Sequence, residues 1–139
     1  MSKMSVSINI KPKAEGSEVS EIQMEENNNI FVTFDIDTVE EYAFDRTGNI
    51  ANTLTITGEI KEETKNQAKE LLKWALGLEK EVYRIVSVKF TDASENILRG
   101  YELDNAFIAD YKEVFEGSQL KYTAKISQRK ENMSNIRVR

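Results

Sequence analysis

Acids, lysines, tyrosines and hydroxyls make up the chemical repertoire of this 139-residue chain, which contains neither histidine nor cysteine. Without histidine there is no Ser-His-Asp or Cys-His machinery, no histidine-ligated zinc and no side chain that ordinarily exchanges protons near neutral pH. Without cysteine there are no disulfides, thiolate metal sites or thiol nucleophiles. Asp35-Ile36-Asp37, followed by Glu40 and Glu41, could gather oxygens for Ca²⁺ or Mg²⁺. Strand alternation would put Asp35 and Asp37 on one face, but acidic loops commonly show this pattern with no ion bound. Asp92, Ser94 and Asn96 carry the first spacings of a Ca²⁺-binding loop, yet Ile97 stands where the glycine belongs and Leu103 where the bidentate glutamate belongs. A glycosidase would need two acids about 5 to 10 Å apart in a cleft, which no spacing here specifies. No glycine-rich loop is present to cradle a phosphate. We therefore expect no enzyme, no metal and no cofactor.

The elements that must carry these residues are mostly strands. Val6, Ile8 and Ile10 alternate with Ser5, Ser7 and Asn9 in a short first strand, which Pro12 stops. A polar, acidic segment from Lys13 to Asn29 reads as loop with a short edge strand over Val19–Met24. Ile30–Ile36 is a second strand, and the threonine-rich run through Leu54, Ile56 and Ile60 another with a wet outer face. Between them, Asp45-Arg46-Thr47-Gly48-Asn49 has the glycine and asparagine of a turn. Ala68, Leu71, Leu72 and Ala75 fall at helical spacing, which predicts one helix from about Glu62 to Leu76, ended by Gly77. Trp74 reads as the aromatic that seals this helix against the sheet.

The last fifty-odd residues read as three strands. They are led by Val82–Thr91 and Leu98–Val114 around the tight connection Asp92-Ala93-Ser94-Glu95-Asn96. Alternation puts Tyr101, Leu103, Phe107, Ala109 and Tyr111 on one face and Glu102, Asp104, Ala106, Ile108 and Asp110 on the other. Ile85 and Ile108 make the second face partly apolar, so a helix, another sheet or a neighbouring chain should cover it. A ribbon of this length outruns the core of so small a chain, and assembly with other subunits is the function it suggests. The fold class expected is mainly β, a β-barrel or two-sheet sandwich with one docked helix. It forms a single domain over 1–139, with 1–4 and 131–139 as flexible ends.

Charge is distributed unevenly about a net value of −5. From Glu15 to Asp45 there are ten acids and no Lys or Arg, whereas Lys121, Lys125, Arg129, Lys130, Arg137 and Arg139 face only Glu131 near the C-terminus. Such a chain either presents two solvated surfaces or docks head to tail, acidic region on basic region, a contact that salt would weaken. The basic end, with Tyr122, is set within an acidic whole, which argues against specific nucleic-acid binding. No apolar run approaches the roughly 20 residues that span a bilayer, and Met1–Val6 lacks a secretory apolar stretch. A cytoplasmic chain, exported if at all without a signal peptide, is expected.

Short N-terminal strands, a loop carrying Arg46-Thr47-Gly48, a strand such as Leu54–Ile60, one helix and then a long ribbon form a recognisable order. With Tyr101-Glu102-Leu103-Asp104-Asn105-Ala106-Phe107-Ile108 in that ribbon, the chain resembles the haemolysin-coregulated (Hcp) inner-tube proteins of type VI secretion systems and the tail-tube proteins of contractile phages. The resemblance spans Thr53 to Arg129 in pattern. It implies a β-barrel subunit with a flanking helix, closing into hexameric rings that stack into a hollow tube. Sheath, baseplate and spike proteins would be its partners, and effector cargo would occupy the lumen. On this reading Asp45, Arg46, Thr47, Gly48, Asn49, Tyr101, Leu103, Asn105, Phe107, Arg129, Lys130, Arg137 and Arg139 are the candidate ring and stacking residues. A monomeric β-sandwich that binds a ligand such as a carbohydrate is the rival.

Overall fold

A computed structural model describes residues 4–13, 19, 21–25, 30–38, 50–77, 82–128 and 136–138. The elements are β1 (Ser5–Pro12), β2 (Ile22–Glu25), β3 (Phe31–Thr38), β4 (Ile50–Glu59), α1 (Lys65–Leu76), β5 (Arg84–Thr91), β6 (Ile97–Glu116), β7 (Gln119–Gln128) and β8 (Ile136–Val138). All the strands join one antiparallel sheet in the order β2-β1-β5-β6-β7-β4-β3, with β8 added beside β6. The mainly β architecture with a single docked helix is as the sequence indicates. Pro12 ends β1 as expected, paired with Arg84, and 136–138, expected in a loose end, pair with β6 as β8. No helix among the described residues is long and apolar enough to cross a membrane.

The sheet rolls up on itself. Three strands separate β2 from β7 in the sheet, yet the Tyr122 hydroxyl lies 3.5 Å from Met24 Sδ. Phe34 of β3 likewise stacks on Tyr101 of β6 with ring centroids 4.4 Å apart. Among the described residues β2 and β3 are not paired, so the roll stays open. Its inner face gathers Ile8 and Ile10, Ile22 and Met24, Leu54 and Ile56, Val86 and Val88, Leu103 and Ala106, and Ala124 and Ile126, all buried. Burying one face of these six strands in this way is what fixes their registers.

β6 owes its curvature to extra residues. The register against β5 slips between Phe90 and Thr91 and again between Arg84 and Val86, and against β7 it slips between Ile108 and Asp110. Each slip inserts one residue on β6, which bends the strand and increases its twist. The simple alternation expected from the sequence is therefore overturned. Beyond Leu103 the unpaired step at Asp104-Asn105 turns Ala106 inward, and Phe107 leaves the Leu103 face to meet Tyr83 edge-on at 6.0 Å. Ile108 is partly buried against the core, so the apolar second face needs no covering layer at that position.

The helix begins later than its periodicity suggests. Thr64 Oγ1 accepts the Lys61 N–H at 2.8 Å and donates to the Glu59 carbonyl at 2.6 Å, which ties 59–64 into a turn. Glu62 and Glu63 therefore precede the helix instead of opening it. Gly77, at φ 68°, ends it with its N–H on the Lys73 and Trp74 carbonyls. Ala68, Leu71 and Trp74 form the buried stripe, against β2 and β6. Trp74 Nε1 donates to the Val82 carbonyl at 2.6 Å, and the fully buried Arg84 guanidinium lies 4.9 Å from the indole ring centre.

Gly58, opposite Tyr122 across the β4–β7 ladder, is required by that tyrosine: a Cβ there would sit 2.6 Å from the phenol oxygen. The ring is 3% exposed and has no room to retreat. Gly58→Ala is expected to destabilise the subunit by about 1–3 kcal/mol, the usual cost of overpacking, measured as a lower urea midpoint at unchanged slope.

Candidate functional site

The candidate residues separate into groups once placed. Asp45, Arg46, Thr47, Gly48, Asn49, Arg129, Lys130 and Arg139 lie outside the described residues, and Arg137 lies in β8 opposite Glu102. Leu103 is fully buried in its own subunit, so an interfacial role for it is corrected to a core one: strand pairing with Val86 turns it inward. Tyr101 stacks on Phe34 and meets Phe90 edge-on.

Asn105 shapes β6. At φ 53° it occupies the left-handed region, which asparagine tolerates better than most residues. Its N–H is held by Asp104 Oδ1 at 2.9 Å. Lys13 Nζ bonds Asn105 Oδ1 and lies 3.4 Å from Asp104 Oδ1. Gln128 then donates through Nε2 to the Asp104 carbonyl at 3.0 Å and accepts at Oε1 from Asn52 Nδ2 at 2.8 Å. The bulge is thus anchored to three neighbouring segments. Asn105→Val is expected to lower stability by about 1–3 kcal/mol and Asn105→Gly by much less, because valine meets both the left-handed penalty and the loss of the lysine contact. Urea unfolding of the two variants side by side checks this.

Beyond the bulge, β6 and β7 continue as a hairpin whose far half is mostly exposed. Gly117 (φ 59°) and Ser118 (φ 69°) make a two-residue turn of type I′. That turn makes Glu116 and Gln119 a hydrogen-bonded pair, and alternate pairs outward from it are not hydrogen-bonded to each other. Phe115, Glu113 and Tyr111 fall on the latter, so their N–H and C=O groups point away from β7. Leu120, opposite Phe115, obeys the same phase: its carbonyl turns outward to accept the Ile60 N–H at 2.7 Å.

On its β5 side, β6 is paired only as far as Ala106. Among the described residues no strand adjoins Phe107–Glu116 there, and none adjoins the outer side of β3. The four-strand half-sheet β6-β7-β4-β3 therefore ends in a free edge on each side. Its outer face is dominated by hydroxyls. One cross-strand row runs Asp110, Lys125, Thr55, Thr33; the next runs Lys112, Thr123, Thr57, Phe31. Thr57 and Thr123 lie within 3.4 Å through their hydroxyls. The length of the ribbon had indicated an uncovered stretch of β6, but nothing in the sequence marked β3 as the second edge.

Two phenols border this half-sheet. Burial, followed by the Glu113 carboxylate that its hydroxyl contacts at 2.7 Å, pushes the Tyr111 pKa well above the usual range. Burial pushes Tyr122 up to about 12. Neither phenol ionises near neutral pH. In the β5–β6 loop the Asp92 carboxylate accepts the Ser94 and Asn96 N–H groups, both at 2.9 Å. These bonds, that from Asn96 foremost, hold its pKa below the usual carboxylate value. The loop is consequently ordered by a carboxylate that serves its own backbone.

A cleft of about 450 Å³ lies on the outer face of β1, β5 and β6, lined by Ser7, Asn9, Lys11, Ser87, Lys89 and Glu102 among others. Tyr101 borders it, but with its ring engaged on Phe34 and Phe90. No cluster of three acids suited to a metal occurs among the described residues.

No protein-family profile matches the sequence, and no curated protein matches it. Solved structures do. The fold is similar to Hcp1 from Flavobacterium johnsoniae at 18% identity over 89% of each chain, with a TM-score of 0.51. It is similar to Hcp1 from E. coli EAEC 042 at 11% identity over 96% of each chain, TM-score 0.54. A chain of the anti-feeding prophage baseplate matches at 8% identity over 96% of this chain and 91% of that one, TM-score 0.55. At such identities the likeness is one of fold: the Hcp-like fold.

Proposed function

We propose that this chain is a structural subunit that joins edge to edge into rings, which stack as the inner tube of a contractile injection apparatus or phage-tail-like particle. The observation that carries it is the half-sheet with two free edges. A ring needs a heterologous contact between two different surfaces of one subunit, and β3 and the far half of β6 are two different edges of one sheet. Four antiparallel strands alternate in direction, so rotation about an axis along the strands brings the β3 of one copy antiparallel to the β6 of the next. Main-chain groups of Tyr111, Glu113 and Phe115 then find partners, which removes the aggregation hazard of an open edge. The charge asymmetry of the chain favours the same head-to-tail polarity.

The hydroxyl-rich outer face of this half-sheet becomes the lumen wall, wet and nearly balanced in charge. Further copies, a surrounding sheath, a baseplate or spike at one end and cargo inside are the partners; nucleic acid is not one. Hexameric closure is the stoichiometry the fold's relatives suggest. Sedimentation over a wide concentration range, with electron microscopy of the same samples, tests the reading. Rings are expected. A chain that remains monomeric throughout would favour the ligand-binding alternative, for which the outer cleft offers no free aromatic ring to stack a sugar.

A further inference from the structure

The two free edges of the half-sheet have hydrogen-bonding phases that follow from the hairpin turn. Leu120, Tyr122 and Ala124 turn their N–H and C=O groups away from β6, so on the β4 side they bond Ile60, Gly58 and Ile56. The alternate residues Thr57, Thr55 and Thr53 then bond Phe31, Thr33 and Asp35 of β3. What remains at the β3 edge is the main chain of Val32, Phe34 and Ile36, and at the β6 edge that of Tyr111, Glu113 and Phe115. Val32, Phe34 and Tyr111 all pack against the core, so both sets belong to the same face of the sheet. Edge-to-edge pairing of two copies therefore continues the sheet without exchanging its faces.

We propose that β3 of one copy pairs with β6 of the next in a single register, with Val32 opposite Phe115, Phe34 opposite Glu113 and Ile36 opposite Tyr111. The inference rests on the ring reading above and names the contact that makes each junction. Within a subunit one cross-strand row runs from Lys112 through Thr123 and Thr57 to Phe31. In this register Phe31 meets Glu116 of the next copy, so the row has moved four residues along β6 in crossing four strands. One residue per strand is the stagger of an eight-stranded barrel of shear 8, whose strands tilt by about 36°. The ratio sets the same tilt whatever the number of subunits. Sliding β6 by two residues either way keeps the phase but gives tilts of about 19° or about 46°, at about 3.3 Å per residue and about 4.8 Å between strands, outside the usual range of about 35–45°.

The side chains agree with the tilt. Phe31 is 69% exposed, Val114 45% and Phe115 73%, and Val114 and Phe115 lie on opposite faces of β6. The proposed register covers both faces: Phe115 meets Val32 directly, and Val114 meets Phe31 on the diagonal. It also sets Asp35 against Lys112, and Asp37 against Asp110, whose own neighbour on β7 is Lys125. The shallower tilt would set Asp35 against Asp110, and the steeper one would leave Phe31 opposite the turn residue Ser118.

Because the sequence contains no cysteine, a pair of introduced thiols reads the register directly. Outer-face residues form the pairs of this junction that are not hydrogen-bonded, with Cα atoms about 4.5 Å apart, and an offset of two residues exceeds the disulfide limit of about 7 Å. Thr33→Cys is combined in the full chain with Lys112→Cys, Val114→Cys or Glu116→Cys. Within one subunit β3 and β6 are separated by two other strands, beyond disulfide reach. Rings formed under reducing conditions and seen by electron microscopy are oxidised and run on a denaturing gel. Thr33→Cys with Val114→Cys is expected to give a ladder beyond the dimer, which a single thiol per chain cannot produce, about tenfold or more faster than either other pair. Fastest cross-linking through Lys112→Cys or Glu116→Cys overturns the register while the β3–β6 junction stands. Rings in which none of the three pairs cross-links overturn that junction. Wild-type protein that forms no rings defeats the ring reading itself, and this inference with it.

Discussion

Glu113→Pro is expected to yield a folded subunit that no longer forms rings. The argument rests on phase. Counting from the Gly117-Ser118 turn, Glu113 lies on a pair that is not hydrogen-bonded within the hairpin, so its N–H points to the free edge and not to β7. Proline there removes a donor that the subunit does not use internally, and its ring obstructs an approaching strand. The loss is one main-chain hydrogen bond and its clash at every junction, about 1–3 kcal/mol or more each, enough to dissociate a ring whose junctions all fail together. Lys112→Pro is the control, one residue away. Its N–H belongs to the β6–β7 ladder opposite Thr123, so that variant should lose folding stability. Sedimentation and urea unfolding separate the two. A Glu113→Pro protein with normal rings would remove the β6 edge from the assembly.

Trp74→Ala is expected to be the most damaging single change to the fold, costing about 3–5 kcal/mol for the cavity alone. Two further losses add to it. The Val82 carbonyl, now bonded by the indole N–H at 2.6 Å, is left without that donor, and the Arg84 guanidinium loses the ring 4.9 Å away. A domain with a total stability of about 5–15 kcal/mol would be brought close to unfolding at 37 °C. Circular dichroism against urea measures this, and a shift under about 1 kcal/mol would mean that the helix is held mainly elsewhere.

Much of this architecture was legible before the structure. The helix announced itself through Ala68, Leu71 and Gly77, and the long ribbon through its apolar and aromatic residues. Those signals are local, and period and punctuation survive in one dimension. The strand boundaries blurred where polar residues carried them, as at Ile50–Thr53 of β4, which threonine and asparagine disguised. Bulges were the larger miss. One extra residue changes nothing in composition, yet it reverses every side chain beyond it, which is why Phe107 and Ile108 exchanged faces. Asn105 was the one available sign, since asparagine tolerates the positive φ that its position demands. Long-range pairing left no local trace: Gly58 is explained only by Tyr122, far along the chain, and the free edge of β3 only by the order of strands. The Asp45–Asn49 turn and most of the basic tail lie outside the described residues.

Trp74 is the only tryptophan in the sequence, and it is 3% exposed within the subunit. Its fluorescence therefore reports one event. Emission should stay short in wavelength for as long as the helix remains seated, whether subunits are free, ringed or stacked, and should move to longer wavelength only when the helix leaves the sheet. Light scattering followed in the same cuvette reports particle size instead. A single denaturant titration thus gives two curves, and the gap between their midpoints is the range of conditions in which tubes have come apart into intact subunits.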